Sequence, residues 1–173
     1  LRKKVKEDGA DLGVAFDGDG DRVRFIASSG FAVPGDIMTA LLAQEILRKS
    51  NFRHMCGSST SALSGEKILY TVNSSRVVRE TIEKAGAVAV ESRIGHALIK
   101  AVMRKEHILF GGELSGHFYH RDFFYAESAL LTLLRLLTIL SLKKETLEEL
   151  VQPFLRYVTS GEVNITVSDK DKA

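Results

Sequence analysis

The sequence is short of everything that marks a secreted, membrane-spanning or polyanion-binding chain. A single cysteine, Cys56, excludes an internal disulfide, which fits a reducing compartment; the plain reading of that thiol is a bystander in a loop. The longest apolar run, "ALLTLLRLLTIL" (129–140), is too short to cross a bilayer, contains Arg135 and is expected as a buried helix. No secretory leader pattern opens the chain, so a cytoplasmic location is expected. An excess of one charge is missing too, with 24 Lys+Arg against 22 Asp+Glu. Nothing global therefore recruits nucleic acid or an anionic membrane. What is present is 45% hydrophobic content over 173 residues, enough for a core and for one domain or parts of two.

Against that neutral background one stretch concentrates charge. "VAFDGDGDRVRF" (14–25) alternates Asp17, Asp19 and Asp21 with Gly18 and Gly20 and continues at once into Arg22. Like charges about 4 Å apart repel by roughly 1 kcal/mol in water and about 4 kcal/mol near a protein surface. Three carboxylates on one short turn therefore call for a cation among them. Residues i, i+2 and i+4 of an extended segment share a side, and glycine lets the backbone curl. Hard oxygen donors in that arrangement suit Mg²⁺, Mn²⁺ or Ca²⁺ rather than zinc or copper. The plainer alternative is an acidic surface turn, since Asp and Gly are ordinary turn residues. An EF-hand loop is excluded: counting from Asp17, the sixth and twelfth positions hold Arg22 and Ser28, not the required Gly and Glu. The flanks "LGVAF" and "VRFIA" also read as strands.

The rest of the chain alternates strand and helix. Asp36 is placed to cap a helix bearing Met38, Leu41, Leu42 and Ile46 at helical spacing. The stretch 51–66 is polar and small, hence a loop, and the serines between Ser58 and Ser64 are ordinary loop residues. "KILYTV" is a strand; Ser74 or Ser75 caps the helix carrying Val77, Val78, Thr81, Ile82 and Ala85, and Gly86 ends it. "AVAVE", "HALIKAVMRK" and "HILFG" read as strand, helix and strand, followed by helices from about Ala126 to Leu140 and about Lys144 to Tyr157. "GEVNITV" (161–167) reads as a final strand. The fold class expected is α/β, with a mixed or parallel sheet and helices on both faces. In such sheets ligands bind beyond the carboxyl ends of the strands.

Two loops occupy that position. "ESRIGHALIK" places Gly95 and His96 between a strand and a helix, with Lys100 one turn on. "FGGELSGHFYHRD" is the more specific: Gly111 and Gly112 let backbone approach a ligand, while Glu113, Ser115 and His117 offer an acceptor, a hydroxyl and a titratable ring. A carboxylate beside small residues can take vicinal hydroxyls, as a sugar ring needs, so Glu113 is read as an exposed ligand. His96 or His117 alone would read as a structural histidine.

"FDGDGDR" (16–22) followed by "GGELSGH" (111–117), with "GH" (95–96) and Lys100 between them, resembles the α-D-phosphohexomutase family, and within it the phosphomannomutase/phosphoglucomutase group. Gly20 and Leu114 lean toward that group, since the glucosamine branch tends to carry alanine and glutamine there. The resemblance implies a four-domain parent: a phosphoserine in the first domain, the aspartate metal loop in the second, the sugar loop in the third and a phosphate-binding loop in the fourth. On that plan residues 1–32 are the end of the second domain, 33–155 the third, and 156–173 the linker and first strand of the fourth. The opening on Leu1, and a strand near each end with no visible partner, fit a piece of something longer.

The resemblance also implies roles. Mg²⁺ would be held by Asp17, Asp19, Asp21 and a phosphoserine oxygen. Arg22 and His117 would be catalytic, the first beside the serine phosphate and the second relaying a proton. Glu113, Ser115 and His117 would hold the hydroxyls of a phosphorylated hexose, with Gly95, His96 and Lys100 contacting substrate or its phosphate. The parent is expected to be a monomer or dimer interconverting hexose 1- and 6-phosphates, and this chain, without a phosphoserine loop, is expected to be inactive. One departure is Asn73, where many relatives have lysine. The alternative from another class is a non-catalytic module that binds sugar phosphate or metal.

Overall fold

The computed structural model describes residues 1–56 and 65–159. The serines from Ser58 to Ser64 and the strand expected at 161–167 lie outside the described residues. The amino-terminal part is a short helix α1 (Arg2–Asp8) and a three-stranded antiparallel sheet, β1 (Leu12–Phe16), β2 (Val23–Ala27) and β3 (Ala32–Val33), in that order. "LGVAF" and "VRFIA" are thus each other's partners, with Phe16 opposite Val23 at the mouth of the aspartate turn.

The larger sheet has five strands in the order β5-β4-β6-β7-β8. β4 (Lys67–Thr71), β5 (Val88–Ser92) and β6 (Phe110–Gly112) are parallel, and β7 (Phe118–His120) and β8 (Ala126–Glu127) continue antiparallel. The chain moves outward from β4 to β5 through α3 (Arg76–Lys84), then returns past β4 to β6 through α4 (His96–Glu106). Right-handed crossovers taken in opposite directions must lie on opposite faces of a sheet. Accordingly Val77, Val78 and Ile82 of α3 join a large core with Ile68, Tyr70, Phe110 and Phe118, whereas Ile99 and Met103 of α4 pack on Leu69, Ile108 and Tyr119. The expected α/β class with helices on both faces is observed, the sheet being mixed rather than wholly parallel.

Several local expectations shift. α2 runs from Gly35 to Cys56, so 51–56, expected as loop, continue the helix. Asp36 is not its cap: it lies buried in the first turn, taking the Ile37 N–H on one oxygen and the Ser75 N–H, at 2.9 Å, on the other. It thereby ties the start of α2 to the loop before α3, which Ser75 caps. α5 begins at Ala129, not Ala126, with Ser128 as cap, and runs to Lys143. It is also not wholly buried: Ala129, Thr132, Leu136 and Ile139 face inward while Leu130, Leu134 and Leu137 are exposed. The last expected helix is two short pieces, α6 (Leu147–Val151), started by a Thr146–Glu149 capping box, and a 3-10 turn at Gln152–Phe154. Pro153, lacking an N–H, favours that break. Among the described residues no helix is long and apolar enough to cross a membrane.

Candidate active site

Residues 17–22 form the turn between β1 and β2. The turn is closed by Asp17, whose Oδ1 accepts the N–H groups of Gly20 (3.2 Å) and Arg22 (3.1 Å). Gly20 sits at φ +75°, a conformation that favours glycine, whereas Gly18 has neither a positive φ nor a neighbour its missing Cβ would touch. The curl, rather than strand alternation, brings the acids together: one oxygen from each of Asp17, Asp19 and Asp21 lies within 4.8 Å of the others. Arg22 Nε donates to Asp17 Oδ2 and stands 3.9 Å from Asp21 Oδ1. Partial desolvation opposes ionisation of Asp17, but the Arg22 amide and guanidinium outweigh it and hold the carboxyl below its usual range. Asp21 Oδ1 is buried and has no hydrogen-bond partner among the described residues.

The second loop is the tip of a tight hairpin joining β6 to β7. Glu113 N–H donates to the His117 carbonyl and Gly116 N–H to the Glu113 carbonyl. Contrary to the sequence expectation Glu113 is buried, at 3% exposure. Its Oε1 accepts from the Tyr119 hydroxyl and its Oε2 from Ser115 Oγ at 3.2 Å. Ser115 Oγ also lies 3.0 Å from His117 Nδ1, so hydroxyl, carboxylate and imidazole form one cluster. A buried carboxylate is costly unless it is hydrogen-bonded, and these two hydroxyls give each of its oxygens a donor.

The two hairpins dock. Val23 N–H donates to the Gly116 carbonyl at 3.1 Å, Arg22 and His117 form an antiparallel bridge, and His117 Nε2 lies 3.3 Å from Asp21 Oδ2. Gly116 makes this approach possible: its φ is +98°, and a Cβ there would stand 2.8 Å from the Val23 carbonyl oxygen. Asp17, Asp19, Asp21, Arg22, Glu113, Ser115 and His117 are therefore brought together where the two hairpins meet.

Gly95, His96 and Lys100 form a neighbouring group. Gly95, at φ +137°, turns the chain into α4. Lys100 Nζ and His96 Nδ1 lie 2.9 and 3.4 Å from Glu127 Oε1. No hydrogen bond or ion pair among the described residues joins them directly to the hairpin tip. Burial works against ionisation of Glu127, but its own N–H, Lys100 and His96 overcome it and hold the carboxyl below its usual range. The link is through the sheet, where Glu127 stands opposite Tyr119 across β7 and β8. Neither residue is evident from the sequence: Tyr119 belongs to a three-residue strand inside a stretch that reads as loop, and Glu127 to the expected start of α5. The usable signal is Ser128, a cap directly before the apolar run, which leaves Glu127 outside the helix. His120, by contrast, is structural, buried against Thr132 Oγ1 at 2.9 Å and pushed down to about 3 by burial.

Comparison with known proteins places the chain in a family. Residues 34–157 match the family described as phosphoglucomutase/phosphomannomutase, alpha/beta/alpha domain III. The chain is 39% identical over 168 residues to a phosphomannomutase of Methanocaldococcus jannaschii, covering 97% of this chain and 34% of that protein. It is 35% identical over 173 residues to a phosphomannomutase/phosphoglucomutase of Pseudomonas putida, covering 99% and 35%. The crystal structure of a phosphoglucomutase/phosphomannomutase family protein from Burkholderia thailandensis matches with a TM-score of 0.74 at 30% identity, over 87% of this chain and 30% of that one. The chain spans about a third of the length of the curated relatives it matches. With the aspartate turn and the Glu113 hairpin docked on one another, and with this match over most of its length, the chain belongs to the phosphoglucomutase/phosphomannomutase family of α-D-phosphohexomutases.

Proposed function

We propose that this chain supplies the metal and sugar portion of a longer phosphohexomutase that interconverts hexose 1-phosphate and 6-phosphate through a phosphoserine enzyme and a bisphosphorylated sugar. Residues 1–32 then close the metal-binding domain, 33–155 form the sugar-binding domain and 156–173 lead into the next. The observation that carries the reading is the contact of His117 with Asp21: a carboxylate cluster fit for a cation and a carboxylate–hydroxyl cluster fit for a sugar meet within 3.3 Å.

Asp17, Asp19 and Asp21 fit Mg²⁺ by their hard oxygens, their convergence and the unpartnered buried oxygen of Asp21. Bound there, Mg²⁺ would supply charge neutralisation for a transferring phosphoryl group. Arg22, on the rim of the same turn, would bind a phosphate oxygen once Asp17 shares its guanidinium. Glu113 would accept from sugar hydroxyls and Ser115 would exchange hydrogen bonds with them in either orientation of the substrate, and His117, beside Ser115 and oriented by Asp21, would take a proton from a hydroxyl and return it. Lys100 is already paired with Glu127, so it orients that edge of the site and adds no net positive charge; with His96 and Gly95 it would line the sugar or its phosphate. Such catalysis rests on positioning and electrostatics.

The test is a coupled mutase assay of the longer protein with mannose or glucose 1-phosphate and the bisphosphorylated sugar as primer. Turnover in the longer protein and none in residues 1–173 is expected. A longer protein that binds hexose phosphate without turnover would instead identify a non-catalytic module.

A further inference from the structure

Tyr119 is a polar residue where the fold asks for an apolar one. It is fully buried on the α4 side of the sheet, among Leu69, Ile99, Met103 and Ile108, while its neighbours Phe118 and His120 point to the opposite face and pack with Phe110. A phenylalanine would fill the same space without burying a hydroxyl. Burying a hydroxyl costs free energy unless it is hydrogen-bonded, and the Tyr119 hydroxyl donates to a single acceptor, Glu113 Oε1. Burial, and then that bond, push the phenol above its usual range, so it stays a donor. The two residues stand six apart in sequence, on either side of the hairpin tip.

We propose that Tyr119 is a positioning residue for the sugar-binding carboxylate: its buried hydroxyl restrains Glu113 Oε1 and leaves the Oε2 edge, shared with Ser115, turned toward the substrate. The inference rests on the reading of Glu113 as a sugar ligand. Without the phenol, Glu113 would retain Ser115 on Oε2 at 3.2 Å and, on Oε1, only His117 Nδ1 at 3.6 Å. Both of those groups belong to the face that meets the substrate, so substrate would have to compete for them. Tyr119 instead holds the carboxylate from behind, through a ring locked in the core. Glu127, opposite Tyr119 in the ladder, extends the same rigid edge to His96 and Lys100.

The experiment is a double-mutant cycle on the complete mutase that contains this segment, using Tyr119→Phe, Glu113→Gln and the pair. Tyr119→Phe is expected to raise KM for hexose 1-phosphate about tenfold, as losing a hydrogen bond to a charged group does, with kcat within about threefold. In the Glu113→Gln background the same change is expected to cost less than about twofold. Multiplying effects, or an unchanged KM beside a lowered melting temperature, would overturn the proposal and leave Tyr119 a packing residue. If Tyr119→Phe alone unfolds, the pair compared with Glu113→Gln decides: equal KM supports the proposal and a further rise overturns it. Failure of the mutase reading itself would appear in the wild type, as absent turnover. Calorimetric binding of hexose phosphate to the same four proteins then reads the cycle, and binding indifferent to Glu113 and Tyr119 overturns the assignment.

Discussion

In the β1–β2 turn three carboxylates, one exposed and two half-buried, share one guanidinium, whereas in the β6–β7 turn a single carboxylate is buried beneath a phenol and a hydroxyl. Both turns lie at hairpin ends, and they meet at His117, yet they solve the cost of charge in different ways. Repulsion in the first is moderated by water, by Arg22 and by the backbone N–H groups of Gly20 and Arg22. That leaves oxygens free to take a hard cation. The second has no such solvent screening and must satisfy Glu113 with two hydroxyls, Tyr119 from the core and Ser115 from the hairpin tip. A cation centre can tolerate exposure because its ligand supplies the missing charge. A group that must select hydroxyl geometry gains from being fixed beforehand.

The largest effect expected from breaking this contrast is at Glu113. Glu113→Ala in the complete mutase should lower kcat/KM by about a hundredfold or more, the range of a lost charge-assisted ligand. Because the side chain is buried, the change should also cost about 1–3 kcal/mol of stability by leaving the Tyr119 hydroxyl unpaired. Kinetics and chemical denaturation of the same sample measure both. Loss of turnover with full stability would mean that Glu113 is solvent-facing, as its loop-like sequence context alone predicts.

A smaller effect separates the glycines of the two turns. Gly116→Ala should cost about 1–3 kcal/mol, since it combines a left-handed φ with a methyl 2.8 Å from the Val23 carbonyl, and it should part the two hairpins. Gly18→Ala should change stability by less than about 0.5 kcal/mol, because no described residue lies within 4 Å of its Cβ position. Thermal melts of the two variants compare them directly. Equal losses would show that the docking of the hairpins does not depend on Gly116.

The sequence shows the charged turn more plainly than the buried one, and the reason is physical. Asp17, Asp19 and Asp21 depend on their immediate neighbours for convergence, so a short window contains the whole argument. The burial of Glu113 depends on Tyr119, which reaches it from the far strand of the hairpin and from a ring seated against α4. "FYH" gives no hint of this, because Phe118, Tyr119 and His120 are all buried and no polar–apolar alternation survives. Helices α3 and α4 are legible from their apolar spacing, with Ser75 and Gly86 where caps belong. α1 is not, since "RKKVKED" buries only Val5 and otherwise reads as a solvated charge run. The extension of α2 through 51–56 is hidden by polar composition, and Asp36 resembles a cap while serving as a tie to Ser75.

Whether both turns form one site can be read from paramagnetic relaxation. Mn²⁺ titrated into isotope-labelled protein should broaden the amide signals of residues 17–22 and, at matching occupancy, those of Glu113 to His117 together with the His117 ring. Signals of α6 should stay sharp, and Asp19→Asn should weaken all of the broadening in parallel. Broadening confined to residues 17–22 would show that the Glu113 hairpin stands apart from the cation, and broadening equally strong in the Asp19→Asn protein would show that the aspartate turn does not hold it.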